Sequence, residues 1–536
     1  GRPKAFLSIL PPDGEEDLPE AVERAIAHCP IRRALPPLGA LAEGSFLAEF
    51  PAEPIDLPIG PHDLAYIAFT SGSTGRPKGV RGLHGALSHF LPWMAEHFGL
   101  GQEDRFSMLS GLSHDPLHRD IFTPLVLGAE IAIPDPAMIG TPGALATWMR
   151  EAGITVAHLT PAMAELVTGE GKETIPSLHH LFFLGDRLHP RDVEGMRQIA
   201  PNVTCVNLYG ATETSRAVGY YVVPEHGVPE EIPAGRGIGD VQLLLLNPLG
   251  RPTALGEVGE IHVRSPFLCG GYLDDEGLTR TRFGTNPFRD DPADRIYKTG
   301  DLGRYLADGN VAFLGRRDGQ IKLRGFRIEL TEIARHLEAY PGIAEAEVLL
   351  HPLPAGEALV AYIAGDPERS AQADEIRAFL RTRLPDYMIP ARFIPLSQLP
   401  RTPNGKIDRG ALPLPQEIRP QTPFVPPRNP LETRLAEIFG QILNVEKVGV
   451  FDNFFELGGH SLLATQLLSR IRDAFQVELP LRTIFEAPHI AGLAEAVTAA
   501  RADGPAAQPP PITRVSRESR KIRRVTQPTP PSPPKG

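Results

Sequence analysis

The apolar positions of this chain change rhythm along its length, and each rhythm predicts a different architecture. Residues 5–10 (AFLSIL) and 65–69 (AYIAF) are short continuous apolar runs, the signature of buried strands. Runs at 128–134, 154–159, 180–184 and 203–208 read the same way. Between them, 143–152, 162–167 and 191–199 read as helices. Strand alternating with helix implies a mostly parallel sheet covered by helices, because parallel neighbours need a crossover.

From about 235 to 315 the texture becomes short strands separated by turn residues (VQLLLL, GEIHVRS, GNVAFLG), a β-rich subdomain. Residues 316–412 change again: helix at 331–339, strands at 346–350 and 359–363, helix at 373–383, a small α+β unit. The stretch 414–430 holds six prolines and reads as an extended linker. Residues 431–499 read as all helix, and within 461–475 Leu463, Leu467, Ile471 and Phe475 recur every four positions as one amphipathic stripe. The tail after residue 500 carries nine prolines, with eight basic and two acidic residues, and is expected to be disordered. Its basic run at 514–524 is a candidate docking segment, against the blander reading of a solvated linker. The expected division is 1–315, 316–412, a linker at 413–430, 431–499 and a tail at 500–536.

Composition narrows the function classes. Apolar residues make up 42% and charged residues 22% of 536, an ordinary globular balance. Lys and Arg number 54 against 65 Asp and Glu, so the net charge is −11, which argues against a broad nucleic-acid surface. Cys29, Cys205 and Cys269 lie far apart with no C-x-x-C, which excludes a disulfide scaffold and a zinc ribbon and fits a reducing compartment. No apolar run approaches the ~18 residues of a membrane span. The N-terminus, GRPKAFLSIL, lacks the layout of a signal peptide, so a cytoplasmic fragment is expected.

The strongest local signal is Thr70-Ser71-Gly72-Ser73-Thr74-Gly75-Arg76-Pro77-Lys78-Gly79. Glycines free the backbone to expose N–H groups, hydroxyls add donors and a lysine adds charge, a loop suited to an anionic phosphate chain. It is not a Walker loop, since G-x-x-x-x-G-K-[ST] is absent. Its context, LAYIAFTSGSTGRPKGV, resembles the phosphate loop of adenylate-forming enzymes, in particular the adenylation domains of nonribosomal peptide synthetases. NLYGATET (207–214), GEIHVRSPFLCGGYL (259–273), YKTGDL (297–302), GRRDGQIKLRGFRIEL (315–330), LPDYMIPARF (384–393) and NGKIDR (404–409) follow in that family's order. FDNFFELGGHSLLATQL (451–467) then resembles a peptidyl-carrier motif.

The resemblance implies a partial α/β adenylation large domain, a small C-terminal domain and a four-helix carrier domain. It implies ATP, Mg²⁺ and a covalent 4′-phosphopantetheine as cofactors, and an acyl-adenylate that is passed to a thiol. By resemblance, Thr70, Ser71, Gly72, Ser73, Thr74, Gly75 and Lys78 hold the departing phosphates. Asn207 and Tyr209 lie beside the nucleotide, Thr212 bonds phosphate and Glu213 ligates Mg²⁺, a hard ion that prefers oxygen. Asp301 accepts from the ribose hydroxyls with help from Arg316, and Lys406 stabilises charge at the reacting carboxylate. Asp318 is the hinge about which the small domain turns, carrying Lys406 away and opening a tunnel for the carrier's thiol. Ser461, at a helix start after GGH, takes the prosthetic arm, where a helix N-terminus favours phosphate. The resemblance implies more large-domain sequence upstream of the phosphate loop than the seventy residues present, so an incomplete large domain is expected.

The implied substrate pocket comprises Asp115, Pro116, Arg119, His158, Phe182, Leu184, Leu208, Arg216 and Ala217. Asp115 matches the acid that pairs with a substrate α-ammonium. Two arginines and a histidine in an otherwise apolar lining suit a second carboxylate, which Arg binds bidentately. This pattern, within HDPLHRDIFTPL, resembles the α-aminoadipate reductases. In the alternative, one arginine turns outward or pairs with Asp120 or Asp186. His114 and His118 are spaced as in a helical zinc site, but Pro116 intervenes and no third ligand is evident. Gly235–Gly239 (GRGIG) reads as a turn, not a dinucleotide loop. Implied partners are an amino-acid substrate, a phosphopantetheinyl transferase, and a downstream condensation, reductase or thioesterase unit; no nucleic acid and no membrane are expected. The rival readings are the activating part of a carboxylic acid reductase and a non-catalytic carrier fragment loaded in trans.

Overall fold

The computed structural model describes residues 5–9, 31–35, 57–70, 77–111, 115–139, 143–169, 173–317, 320–353, 355–365, 373–402, 407–415, 424–459, 461–480 and 482–502. The loop 71–76, the hinge position Asp318, Lys406 and the tail lie outside them.

A seven-stranded sheet forms the large unit, in the order Arg236–Gly237, Ala217–Val222, Thr204–Gly210, His180–Phe183, Val156–Leu159, Arg105–Ser107, Glu130–Ala132. The pairings from Glu130–Ala132 to Thr204–Gly210 are parallel. Their side chains face helices on both sides, so Val156–Leu159 is buried throughout instead of alternating. The helices Ala144–Glu151, Pro161–Thr168 and Pro190–Ile199 supply one cover and share a core with Leu159, Leu181 and Phe183. Two further helices, His84–Phe98 and Leu117–Leu127, escape the sequence reading. Each contains a proline, Pro92 and Pro124, which lacks the N–H a helix interior uses and so reads as a break. The Gly235–Gly239 segment is also not simply a turn: Arg236–Gly237 pairs antiparallel with Ala217–Val222.

A second sheet joins Gln242–Leu246, Gly259–Arg264, Arg295–Tyr305 and Phe283–Thr285, with Val311–Arg316 added on Arg295–Tyr305. Residues 320–412 build a separate core in which Leu330–Glu338 and Ala373–Arg381 pack on the sheet Ile343–Leu353, Gly356–Gly365, Arg392–Leu396. The helices Pro430–Leu443, Ser461–Phe475, Arg482–Glu486 and Ile490–Ala502 enclose a third core. There the predicted stripe faces inward, with Leu467 and Ile471 wholly buried. Among the described residues no helix is long and apolar enough to cross a membrane.

Candidate active site

The C-terminal end of Thr204–Gly210 feeds a single 3-10 turn, Thr212–Thr214, closed by the Ala211 N–H donating to Thr214 Oγ1 at 3.0 Å. That turn sets Thr212 toward Asp115, whose Oδ1 accepts from Thr212 Oγ1 at 3.4 Å. It also buries Glu213, 1% exposed. Antiparallel register places Asp301 opposite Arg316, fifteen residues on, and the two form a buried ion pair. Tyr209 donates its hydroxyl to Asp301 Oδ2 at 2.5 Å. Burial and the Asp301 carboxylate together push the Tyr209 phenol well up, so it remains a donor.

Two cavities meet here. The smaller, about 120 Å³, is lined by Asp115, Pro116, Arg119, Leu184, Leu208, Thr212, Arg216, Ala217, Asp301 and Arg316, so most of the expected substrate and ribose residues share one space. Arg119 is 4% exposed, and its Nε and Nη2 have no hydrogen-bond acceptor among the described residues. Burial pushes its pKa down to about 10, against the pull of Asp120 and Asp115. Arg216 donates from Nη1 to Tyr66 Oη at 2.9 Å and lies over that ring at 5.3 Å; its Nε and Nη2 also have no acceptor. Asp120 instead accepts from the N–H groups of Leu109 and Ser110, at 3.2 and 3.0 Å. Its Oδ1 lies 3.0 Å from His158 Nδ1, off the straight hydrogen-bond line.

Three expectations need correcting in geometry. Phe182 lines neither cavity: it is wholly buried, stacked at 5.2 Å on His158 and packed edge-on to Phe98. Asn207 sits three residues before the strand's end at Gly210, and its amide is spent on the Pro233 carbonyl at 2.7 Å. His158 lines the larger cavity rather than the space shared by the arginines, because it turns to Asp120. Burial pushes its pKa down, so the ring is neutral.

The larger cavity, about 680 Å³, runs from Thr70, Asp115, His158 and Thr212 past Gly185, Gly325 and Phe326 to Arg377, Arg381, Phe455, Gly459 and Thr465. It therefore joins the pocket to the helix that Ser461 opens. The carrier helices are held there by the small domain. Arg381 lies over Phe485 at 4.5 Å, and Arg392 donates to the Glu456 carbonyl at 2.6 Å. The cavity's apolar wall and the arginines that line it fit a prosthetic arm whose chain mixes methyl and methylene groups with amides and whose phosphate is anionic.

A hairpin, Gln320–Leu323 with Phe326–Glu329, enters the site from the small domain. Its turn, Arg324-Gly325, has positive φ at both residues, 54° and 82°. Ile321, Leu323, Phe326 and Ile328 face the small domain's core. Gln320, Lys322, Arg327 and Glu329 fall on the other face. Arg327 donates to Glu213 Oε2 at 2.6 Å, and Tyr272 donates to Oε1 at 2.8 Å. Burial alone pushes the Glu213 carboxyl up, but Arg327 and the donated bonds outweigh it and hold it below the usual range. Lys78 Nζ lies 3.8 Å from Glu329, and Lys322 donates to the Gly210 carbonyl at 3.4 Å. Glu213 would hold the Mg²⁺ that accompanies ATP, an ion usually bound by one or two carboxylates and the substrate's phosphates; in this arrangement Arg327 and Tyr272 engage both of its oxygens. The hairpin's residues lie inside a quoted motif, yet only their strict polar–apolar alternation, QIKL then FRIE around R-G, could have revealed them as a strand pair entering the site.

These features define an adenylate-forming enzyme with a carrier, and the comparisons agree. Residues 11–273 match the AMP-binding enzyme family, 332–406 the AMP-binding enzyme C-terminal domain, and 433–497 the phosphopantetheine attachment site. The chain belongs to the AMP-binding enzymes, as an adenylation domain followed by a carrier domain. It is 41% identical, over 82% of its length, to an L-2-aminoadipate reductase of Schizosaccharomyces pombe, of which it covers 35%. It is 38% identical, over 85% of its length, to tyrocidine synthase 3 of Brevibacillus parabrevis, of which it covers 7%. The chain thus spans about a third of the reductase. Its fold matches holo-PA1221, a nonribosomal peptide synthetase protein containing adenylation and PCP domains bound to a vinylsulfonamide inhibitor. The TM-score is 0.70 at 25% identity, covering 92% of this chain and 88% of that one.

Proposed function

We infer that this chain activates an amino acid with a second carboxylate as its acyl-adenylate and loads it onto a carrier arm at Ser461. In the first step a substrate carboxylate oxygen attacks the α-phosphorus of ATP, and pyrophosphate leaves. Asp115 holds the α-ammonium, Arg119 and Arg216 the other carboxylate, and Asp301 with Arg316 and Tyr209 the ribose. Lys78 and the 70–75 loop hold the departing phosphates, Thr212 bonds phosphate, and Lys406 stabilises charge at the reacting carboxylate. Positioning and charge stabilisation carry such a step, without a protein nucleophile. When bound, the prosthetic arm supplies a thiol that takes the acyl group as AMP departs. The chain's part in that step is to align Ser461 with the pocket and to exclude water along the way.

The observation that carries this reading is the cavity joining Asp115 and Thr212 to Gly459 and Thr465. The kinship to an aminoadipate reductase supports the dicarboxylic substrate, and with it a reductase as the unit that consumes the thioester. The test uses the full-length enzyme after treatment with CoA and a phosphopantetheinyl transferase. A mass gain of one phosphopantetheine is expected, and a second gain of the acyl group on adding ATP and 2-aminoadipate. Ser461→Ala should show neither. Loading of Ser461→Ala equal to wild type would place the arm elsewhere.

A further inference from the structure

Arg216 is directed by a side chain that lines neither cavity. Tyr66 lies on the strand Leu64–Thr70, which leads into the phosphate loop. Its hydroxyl accepts from Arg216 Nη1 at 2.9 Å and donates to the Ser215 carbonyl at 3.2 Å. Arg216 Nη1 also donates to that carbonyl, so three groups close a ring of hydrogen bonds at one end of the guanidinium. We propose that Tyr66 is a specificity-determining positioning residue, which acts through Arg216 by leaving the Nε–Nη2 edge of the guanidinium for the substrate carboxylate that is not activated. The proposal rests on the dicarboxylate reading above.

The case starts from donor counting. A guanidinium carries five N–H groups, and two of them sit on Nη1. Tyr66 and Ser215 take both. The adjacent Nε and Nη2 hydrogens remain, a pair that matches a carboxylate side-on, and neither atom has an acceptor among the described residues. Arg216 is buried and lines the smaller cavity, so a ligand in that space can answer this edge. The backbone behind the guanidinium is also fixed. Ser215 holds φ at 63°, uncommon outside glycine, and Thr214 Oγ1 donates to the Arg216 carbonyl at 2.7 Å. Register then sets the place of Tyr66, which stands opposite Gly82. A Cβ on Gly82 would lie 2.1 Å from Tyr66 Cζ, so the ring occupies room that only glycine leaves. The His118 ring stands 4.2 Å away and fences it further. Burial pushes the Tyr66 phenol up, against the pull of Arg216, so the hydroxyl keeps the proton that it donates to Ser215. A fork fixed before the substrate arrives loses less freedom on binding. Its contact is remote from the reacting carboxylate and is made equally in the ground and transition states, so Tyr66 acts on KM more than on kcat.

The experiment is a double-mutant cycle in the full-length enzyme, with Tyr66→Phe and Arg216→Ala made singly and together and read by substrate-dependent pyrophosphate exchange. With 2-aminoadipate, Tyr66→Phe should raise KM about tenfold, the size expected for one hydrogen bond to a charged group. Its kcat should stay within about twofold. In the Arg216→Ala background the same substitution should change KM by less than about twofold, because no guanidinium is left to direct. Gly82→Ala, which displaces the ring and keeps its hydroxyl, should raise KM as Tyr66→Phe does and should likewise lose its effect without Arg216. The cycle is repeated without turnover on the rise in Tm that the amino acid produces. Additive losses in the cycle, a loss in kcat as large as the rise in KM, or the same loss for every amino acid would each overturn the positioning role. A wild-type preference for apolar amino acids would reject the dicarboxylate reading instead. The cycle is then scored on the preferred amino acid: coupling between Tyr66 and Arg216 keeps the positioning role, and its absence removes it.

Discussion

Replacing Gly325 by leucine should cost the acyl-transfer step about 10²–10³-fold while adenylate formation falls far less. Gly325 is the tip of the 320–329 hairpin at φ 82°, a conformation that L side chains rarely adopt. A Cβ there would lie 2.7 Å from Thr160 Cγ2. The opposing wall is as tight, since a Cβ on Gly185 would lie 3.2 Å from the Gly325 Cα. Gly325 lines both cavities, so a larger side chain at this point both strains the turn and narrows the path from the carrier to the pocket. A displacement of about 1 Å in a reacting group is worth about 10² in rate. In the turn of the small domain about Asp318 that the family resemblance implies, adenylate formation proceeds with the hairpin withdrawn and does not feel the clash. Substrate-dependent pyrophosphate exchange reports the first step, and thioester formation read by intact mass reports the second. Equal losses in both would mean that Gly325 serves the fold and not the passage. Gly325→Ala should fall between wild type and leucine, because Thr160 is a side chain that can shift.

Gly325 also marks where sequence reasoning stopped short. It lies inside the motif GRRDGQIKLRGFRIEL, where nothing in the sequence gives it a role, yet it is the second residue of a two-residue turn whose hairpin sets Lys322, Arg327 and Glu329 against the large domain. The alternation that makes this hairpin was present in the chain, but alternation alone does not say what its polar face will meet. The parallel strands were legible because buried parallel strands are continuous apolar runs. Asp301 and Arg316 were legible as individuals, and the register that pairs them was not, because register depends on turn geometry and on which face is buried. The same limit explains Phe182 and Asn207. Both stand on the expected strands, but a strand fixes only which face a residue occupies, and its depth along the pocket comes from packing. Tyr66, which meets Arg216 across 150 positions of sequence, carries no local signal at all.

Selectivity should favour 2-aminoadipate or glutamate over leucine or phenylalanine by about 30- to 3,000-fold in kcat/KM. In the space they share, Asp115, Arg119 and Arg216 set two cations against one anion, while Arg316 and Arg327, which also line it, are paired with Asp301 and Glu213. An amino acid's α-ammonium answers Asp115, and an acidic side chain answers the arginines. Neither arginine is spent on the acids that the alternative reading offered. Asp120 Oδ2 accepts from two backbone N–H groups and its Oδ1 lies beside His158, while Arg216 is engaged by the Tyr66 hydroxyl and the Ser215 carbonyl. Buried guanidinium nitrogens with no acceptor among the described residues are what an apolar substrate would leave unsatisfied. Losing one partner of a buried charged pair costs about 2–5 kcal/mol, which gives the range above at 1.4 kcal/mol per tenfold. Arg119→Ala and Arg216→Ala should each reduce the preference, mostly by slowing the acidic substrates and with little effect on leucine. Arg216→Lys should keep part of it, because the charge remains while the planar fork is lost. The measurement is substrate-dependent pyrophosphate exchange across an amino-acid panel. A wild-type preference for apolar amino acids, unchanged in both alanine variants, would reject the dicarboxylate reading and leave the adenylation chemistry standing.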